Sequence, residues 1–148
     1  MALPSLLIFI GALLLGLALV FTLIFALIAL LAKRRADAAK ARFPGAVTIV
    51  SANFFGQESL GMAQVRGNGT LVLTNSELFF EKWAPHTEYH IPLRQITQIE
   101  TVPSFLGKGT SAGPLLKVVY QDDRGGSDAI AWLLRDVEGF KRQIESRL

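Results

Sequence analysis

Two histidines, four residues apart, are the first candidates for chemistry in this sequence. If His86 and His90 lay on a helix, they would share one face, where two imidazoles can bind the same metal ion. The residues around them are typical of a strand, in which the two side chains share a face but lie about 13 Å apart, too far for one ion. We therefore expect two surface histidines, with no metal site and no cofactor.

Other residues of the types used in catalysis or ligand binding do not form a recognisable motif. Asp122 and Asp123 form a carboxylate pair, but they lie in a turn rich in Asp and Gly, where these residue types are common. Residues 107–110 read Gly-Lys-Gly-Thr and lack the Gly-x-x-x-x-Gly-Lys-Ser/Thr spacing of a phosphate-binding loop. The residues of a Ser/His/Asp triad come together only in the folded protein, so their spacing in the sequence predicts no such triad. The absence of Cys excludes thiol catalysis, and we predict no catalytic residue and no enzyme.

The charged residues are confined to one part of the chain. The 148-residue sequence has 15 Lys and Arg and 12 Asp and Glu, and none of them lies in residues 1–32. Between residues 6 and 32, only Gly11, Gly16 and Thr22 interrupt a run of apolar side chains. This run exceeds the roughly 20 residues that cross about 30 Å of hydrocarbon as a helix. We expect a single transmembrane helix over about 6–32, because a signal peptide would have a basic start and a shorter apolar stretch.

Five basic residues follow the apolar run directly. They are Lys33, Arg34, Arg35, Lys40 and Arg42. One acid, Asp37, lies among them within residues 33–42. Because Lys and Arg next to a span stay on the cytoplasmic side, they predict an N-terminus outside the cell and a cytoplasmic C-terminal domain. They are also within reach of anionic lipid headgroups. The net charge of +3 is thus local, and we expect no nucleic-acid partner.

The rest of the chain has the pattern of a mainly-β domain. Pro44 and Gly45 end the helical pattern, which divides the chain into a region 1–43 and a domain 44–148. Loops are predicted at 51–61 and 103–114. Short β-branched or alternating segments, separated by turn residues, predict strands at 46–50, 62–66, 70–74, 78–83, 88–91, 96–102, 116–120 and 130–132. Asp136 is the predicted start of a last, amphipathic helix with apolar residues Val137, Phe140, Ile144 and Leu148.

The order of these segments resembles a known superfamily. Residues 69–75 (Gly-Thr-Leu-Val-Leu-Thr-Asn), 78–80 (Leu-Phe-Phe), 91–96 (Ile-Pro-Leu-Arg-Gln-Ile) and the helix start at 136–140 are similar to the GRAM and bacterial pleckstrin-homology (PH-like) superfamily. The resemblance covers roughly 46–148. It implies a PH-like barrel of about seven antiparallel strands capped by a C-terminal α-helix. It also implies an adaptor that binds lipid, peptide or protein, usually without catalysis.

The resemblance further implies a place for a ligand. Lipid-binding PH domains of this kind cluster Lys and Arg around the loop between the first two strands, since phosphate recognition needs several charged donors. Residues 51–61 contain no basic residue and one acid, so inositol-phosphate binding is not expected. Two apolar pairs in predicted loops, Phe54–Phe55 and Phe105–Leu106, are candidate contacts with a partner or the membrane; the alternative is that they pack in the core.

Together these patterns predict a membrane-anchored, non-catalytic interaction module, an adaptor or scaffold, in a bacterial inner (plasma) membrane. Its expected partners are the lipid bilayer in which it is integral, an unidentified membrane or cytoplasmic protein, and a second copy of the chain in a homo-oligomer. The alternative function is a peripheral reader of anionic lipid that uses the basic residues 33–42 and the apolar loops.

Overall fold

The structure, a computed structural model, describes residues 3–148. It has the predicted order of elements, which is a long apolar helix, a seven-stranded antiparallel sheet and a C-terminal helix. The chain divides into two compact units, Met1–Ala38 and Ala39–Leu148. The second unit, called the β domain below, begins a few residues before the boundary predicted at 43 and 44, because the last turn of the first helix packs within it.

Helix α1 spans Leu3–Arg42 and contains a stretch long and apolar enough to cross a membrane. None of that stretch is buried within the structure. The Thr22 hydroxyl donates to the carbonyl oxygen of Ala18 at 2.8 Å, so this polar group is satisfied inside the helix, as a lipid environment requires. A signal sequence near an N-terminus can also be long and apolar enough to meet this criterion, so α1 establishes a capacity to span rather than a topology.

Nine strands follow α1, seven of them in one antiparallel sheet. In chain order the strands are β1 Thr48–Gln57, β2 Gly67–Leu73, β3 Glu77–Trp83, β4 His86–Pro92, β5 Ile96–Val102, β6 Ser104–Phe105, β7 Lys108–Gly109, β8 Leu115–Gln121 and β9 Ser127–Leu134. The order across the large sheet is β4-β3-β2-β1-β9-β8-β5, which places β4 and β5 at its edges. Strands β6 and β7 form a separate small hairpin. Short 3-10 helices precede β2 and β5, at Glu58–Leu60 and Leu93–Gln95.

Strands β2 and β3 are buried on both faces, which explains their unbroken apolar runs. Their inner residues, such as Leu71 and Phe80, belong to the main core of the β domain. Their outer residues Val72 and Phe79 pack against Ala39, in the last turn of α1. The end of α1 therefore covers one part of the outer face of the sheet.

A second part of the outer face is covered by the β6–β7 hairpin. Phe55 on β1 and both Ala129 and Ala131 on β9 are buried beneath Phe105 of this hairpin. This outer cluster explains why the predicted loop 103–114 contains two short strands: an apolar sheet face needs a cover that is itself ordered.

Helix α2 spans Val137–Glu145 and begins where the sequence predicts. The Asp136 carboxylate accepts a hydrogen bond from the Gly139 N–H at 2.9 Å, which satisfies one of the free donors at the helix start. Its apolar residues Val137, Phe140 and Ile144 are buried in the main core, as expected.

Two segments differ from the predicted strands and loops. The predicted loop at 51–61 is strand as far as Gln57, because Phe54 and Phe55 alternate between the main core and the outer cluster. A bulge between Phe54 and Gly56 shifts the pairing with β9 there. The predicted strand at 62–66 is irregular in the structure, and its backbone is held by side chains instead of a neighbouring strand.

Gly69 on β2 provides a stability prediction. A Cβ at this position would overlap the Glu81 carbonyl oxygen and the Phe80 ring. We expect Gly69→Ala to lower the free energy of unfolding by about 2–3 kcal/mol, measured by chemical denaturation of the full-length protein in detergent micelles. Gly45→Ala is the control, because nothing lies within 4 Å of a Cβ there. Equal stability of the two variants would contradict the packing described here.

Candidate functional site

The outer face of β3 and β4 carries a group of titratable side chains. His86, Glu88 and His90 alternate along β4 and therefore share one face of the sheet. Glu77 and Glu81 alternate along β3 on the same face, and Glu81 lies directly opposite Glu88 in the strand pairing. We call these five residues the His–Glu face.

Within the His–Glu face, each histidine has its own glutamate. His86 Nε2 lies 3.0 Å from Glu81 Oε1 and 3.9 Å from Glu88 Oε1. His90 Nδ1 lies 3.1 Å from Glu77 Oε2, and its Nε2 lies 3.5 Å from Glu88 Oε2. The glutamates were missed at the sequence level, although the pattern His-x-Glu-x-His in a strand is the signal that places all three side chains on one face.

Three of these residues bring metal-ligating atoms together. One ligand atom each from Glu81, His86 and Glu88 lie within 4.8 Å of one another. The prediction of no metal site considered only the distance between the two histidines. When the carboxylates are considered as well, a single imidazole has two carboxylate oxygens close to it.

Arg42, in the last turn of α1, binds the same face. Its Nη1 and Nη2 donate to Glu88 Oε1 and Oε2 at 2.5 and 3.0 Å, and its guanidinium lies 4.8 Å from the centroid of the Phe79 ring. The hydrogen bond from Arg42 lowers the pKa of Glu88 to about 2. Arg42 is therefore engaged within the β domain, and the other four basic residues of the predicted lipid-facing group lie exposed on α1: Lys33, Arg34, Arg35 and Lys40.

The apolar pairs predicted to contact a partner or the membrane are core residues instead. Phe54, Phe55 and Phe105 are 1%, 2% and 7% exposed, so the prediction of an exposed contact is wrong for them. The physical reason is that β1 and the β6–β7 hairpin are ordered elements whose aromatic side chains fill the two cores. Leu106 is partly buried with φ +50°, and it packs closely against Gly56.

A different apolar surface lies in the segment between β1 and β2. In residues 58–66, which we call the 58–66 loop, Leu60, Met62 and Val65 are 60%, 68% and 70% exposed. Large apolar side chains this exposed and this close together are typical of interaction sites. The sequence did not reveal them, because residues 62–66 have the alternating pattern of a strand.

Gln64 fixes the shape of the 58–66 loop from inside. Its Oε1 accepts a hydrogen bond from the Gln57 N–H at 2.9 Å, and its Nε2 donates to the carbonyl oxygens of Gln57 and Gly61 at 2.7 and 2.5 Å. The Lys108 ammonium, from β7, donates to the Gln64 carbonyl oxygen at 2.6 Å. One side chain thus replaces the strand pairing that this segment lacks.

Asp128, on β9 and only 4% exposed, fixes the start of the loop. Its carboxylate accepts five hydrogen bonds of 2.6–3.3 Å, from the side chain of Gln57, the N–H and hydroxyl of Ser59, the hydroxyl of Tyr120 and the N–H of Ala129. Burial opposes the negative charge, but the hydrogen bonds from Gln57 and Ser59 outweigh it and lower the pKa of Asp128. Burial, together with the charge of Asp128, raises the pKa of Tyr120. A carboxylate with this many donors is a structural anchor for the loop.

Comparison with known proteins informs the fold alone. No family model matches the chain, and no curated protein matches it significantly. Among solved structures, the crystal structure of the C-terminal domain of an unknown protein from Leishmania infantum is similar, with a TM-score of 0.53 and 13% identity. The similarity covers 75% of this chain and 94% of that chain. At this identity it supports a shared fold and transfers no function.

The Arg42–Glu88 pair predicts a response to acid. Because the pKa of Glu88 is lowered from 4.5 to about 2, the pair stabilises the docked helix end fully above pH 4.5, and this contribution is lost as the pH falls towards 2. A ¹³C NMR titration of the Glu88 carboxyl should have its midpoint near 2. In Arg42→Gln the midpoint should rise towards 4.5. A midpoint that does not change between the two proteins would contradict the pairing.

The Asp128 network predicts a stability loss from an isosteric change. In Asp128→Asn, an amide N–H₂ faces groups that are themselves donors, so we expect the free energy of unfolding to fall by about 2 kcal/mol. Trypsin should also cleave faster at Arg66, because the 58–66 loop loses its anchor. The control is Asp123→Asn, since Asp123 accepts one exposed hydrogen bond, from Gln95, that Asn can still accept. Unchanged cleavage in Asp128→Asn would show that the carboxylate does not hold the loop.

Proposed function

We propose that this chain is a membrane-anchored, non-catalytic interaction module, an adaptor or scaffold, that presents its β domain to a protein partner through the 58–66 loop. In this proposal α1 crosses the inner membrane of a bacterial cell once, with the N-terminus outside and the β domain in the cytoplasm. The observation that carries the proposal is the exposure of three large apolar side chains on a loop with a fixed shape.

The anchoring part of the proposal is supported by α1. Its apolar stretch has no charged side chain before Lys33, and none of that stretch is buried within the structure. The basic residues that follow are exposed on the helix, where they can stay on the cytoplasmic side of the membrane. A tethered domain meets other membrane proteins at a raised local concentration, so even a modest interface can be occupied.

The interaction part is supported by the rigidity of the 58–66 loop. Leu60, Met62 and Val65 are displayed on a backbone that Asp128 and Gln64 hold through buried or partly buried hydrogen bonds. A surface that is already ordered loses little conformational entropy when a partner binds. Apolar side chains on such a frame are suited to recognition of a complementary apolar surface.

A protein partner is favoured over a lipid surface by the charges near the loop. The cationic groups of Arg66 and Lys108 donate to the carbonyl oxygens of Gly109 and Gln64, so both are engaged within the β domain. The loop itself carries an exposed acid, Glu58, which anionic headgroups would repel. The lipid-reader alternative also loses the aromatic contacts on which it depended, because these residues are buried in the core.

Two observations support the part of the proposal that describes a non-catalytic, PH-like domain. Seven antiparallel strands followed by a C-terminal helix is the architecture that the resemblance to the GRAM and PH-like superfamily implies. The buried carboxylate of Asp128 is fully engaged by donors of its own domain, which suits a structural role better than proton transfer.

The test compares partner capture by the full-length protein and by a loop variant, Leu60→Ser with Met62→Ser and Val65→Ser. Because the three side chains are exposed, the free energy of unfolding of the variant should differ from that of the parent by no more than about 0.5 kcal/mol. We expect chemical cross-linking in native membranes, followed by mass spectrometry, to recover a protein partner with the parent and to lose most of it with the variant.

The control for this experiment is Leu148→Ser, which removes a similarly exposed apolar side chain, 60% exposed, at the other end of the β domain. It should capture the partner as the parent does. Recovery of only monomer from the parent would contradict the interaction function. Equal capture by parent and loop variant would place the interface elsewhere on the domain.

A further inference from the structure

The His–Glu face contains a geometry that the proposed interaction function does not use. The imidazole nitrogen His86 Nε2 lies close to an oxygen of each of two carboxylates, 3.0 Å from Glu81 Oε1 and 3.9 Å from Glu88 Oε1. The third ligand pair, between the two carboxylates, lies within 4.8 Å. Tetrahedral coordination with bonds of about 2.0–2.1 Å places neighbouring ligand atoms about 3.3 Å apart. To reach that spacing the two glutamate carboxylates must turn towards the imidazole, and the terminal torsion of a glutamate is broad enough to allow it.

The three side chains are also accessible and held in place. The side chain of His86 is 62% exposed, so an ion can reach it from solution. The side chains of Glu81 and Glu88 are 32% and 27% exposed, and they project from paired strands in direct register. With three protein ligands, a tetrahedral ion takes water as its fourth ligand.

The donor set favours one class of ion. An imidazole with two carboxylates suits Zn²⁺ and neighbouring first-row transition metals. Ca²⁺ and Mg²⁺ require oxygen ligands in larger number and do not gain from an imidazole. The two carboxylates would neutralise the charge of one divalent ion.

From this geometry we infer that Glu81, His86 and Glu88 form a binding site for a Zn²⁺-class ion, whose occupation competes with the Arg42–Glu88 ion pair. The competition follows from the contacts of Glu88, because the oxygen that faces His86, Oε1, is also the oxygen that accepts from Arg42 Nη1 at 2.5 Å. A bound ion withdraws this oxygen from Arg42, and so weakens the contact between the end of α1 and the outer face of the sheet. The site thereby links metal binding to how firmly the helix end is held.

The test titrates Zn²⁺ into the full-length protein in detergent micelles, without a histidine tag, and follows heat and the imidazole NMR signals. The sequence has only two histidines, so each signal can be assigned with one variant. We expect one equivalent of Zn²⁺ per chain and a shift of the His86 signal. His86→Ala should lower the affinity more than tenfold, and millimolar Ca²⁺ or Mg²⁺ should not displace the ion.

Two further variants separate this site from nonspecific binding. Asp123→Ala removes an exposed carboxylate outside the His–Glu face and should change the affinity less than about threefold. Arg42→Gln should raise the affinity roughly fivefold, since it removes a cation that competes for Glu88. If His86→Ala binds Zn²⁺ as the parent does, or the parent binds none at 100-fold excess, the site is overturned. If Arg42→Gln leaves the affinity unchanged, the competition with the ion pair is overturned.

Discussion

The central strands of the sheet are apolar on both faces, and the need to cover both faces governs the rest of the β domain. The inner face is covered by the bending of the sheet on itself and by α2. The outer face is covered in two places, by Ala39 and Phe43 over Phe79, and by Phe105 over Phe55. Each large apolar side chain that is fully buried in this way contributes about 1.5–3 kcal/mol. The last turn of α1 is therefore part of the fold of the β domain.

This cover brings charged groups together at its border. The outer row of the sheet runs from Ile49 through Val72 and Phe79 to His90, so the apolar surface under the helix end continues directly into the His–Glu face. Arg42 lies at that border, where its guanidinium contacts the Phe79 ring and its donors reach Glu88. A basic residue that a membrane protein would ordinarily present to headgroups is thus committed to the β domain, and the surrounding histidine and carboxylates acquire a geometry that can bind an ion.

The 58–66 loop shows the reverse arrangement, with polar groups inside and apolar groups outside. Asp128 and Gln64 supply hydrogen bonds to a backbone that no strand pairs with, which lets Leu60, Met62 and Val65 remain exposed on a fixed frame. Placing apolar side chains in water gains nothing for folding, and exposed apolar groups of this kind are typical of interaction sites. The structure of the loop and the proposed function of the chain depend on the same two polar side chains.

Local sequence determined the elements whose causes are local. The charge-free run, the stop at Pro44, the alternation in most strands and the N-cap at Asp136 act over a few residues, and α1, the sheet and α2 follow from them. Only the tertiary structure decided that Phe54 and Phe55 are buried, that residues 62–66 are irregular, and that the β3 glutamates lie beside the β4 histidines. These depend on which strands become neighbours and on what covers each face, and such contacts join residues far apart in the chain, where periodicity carries no information.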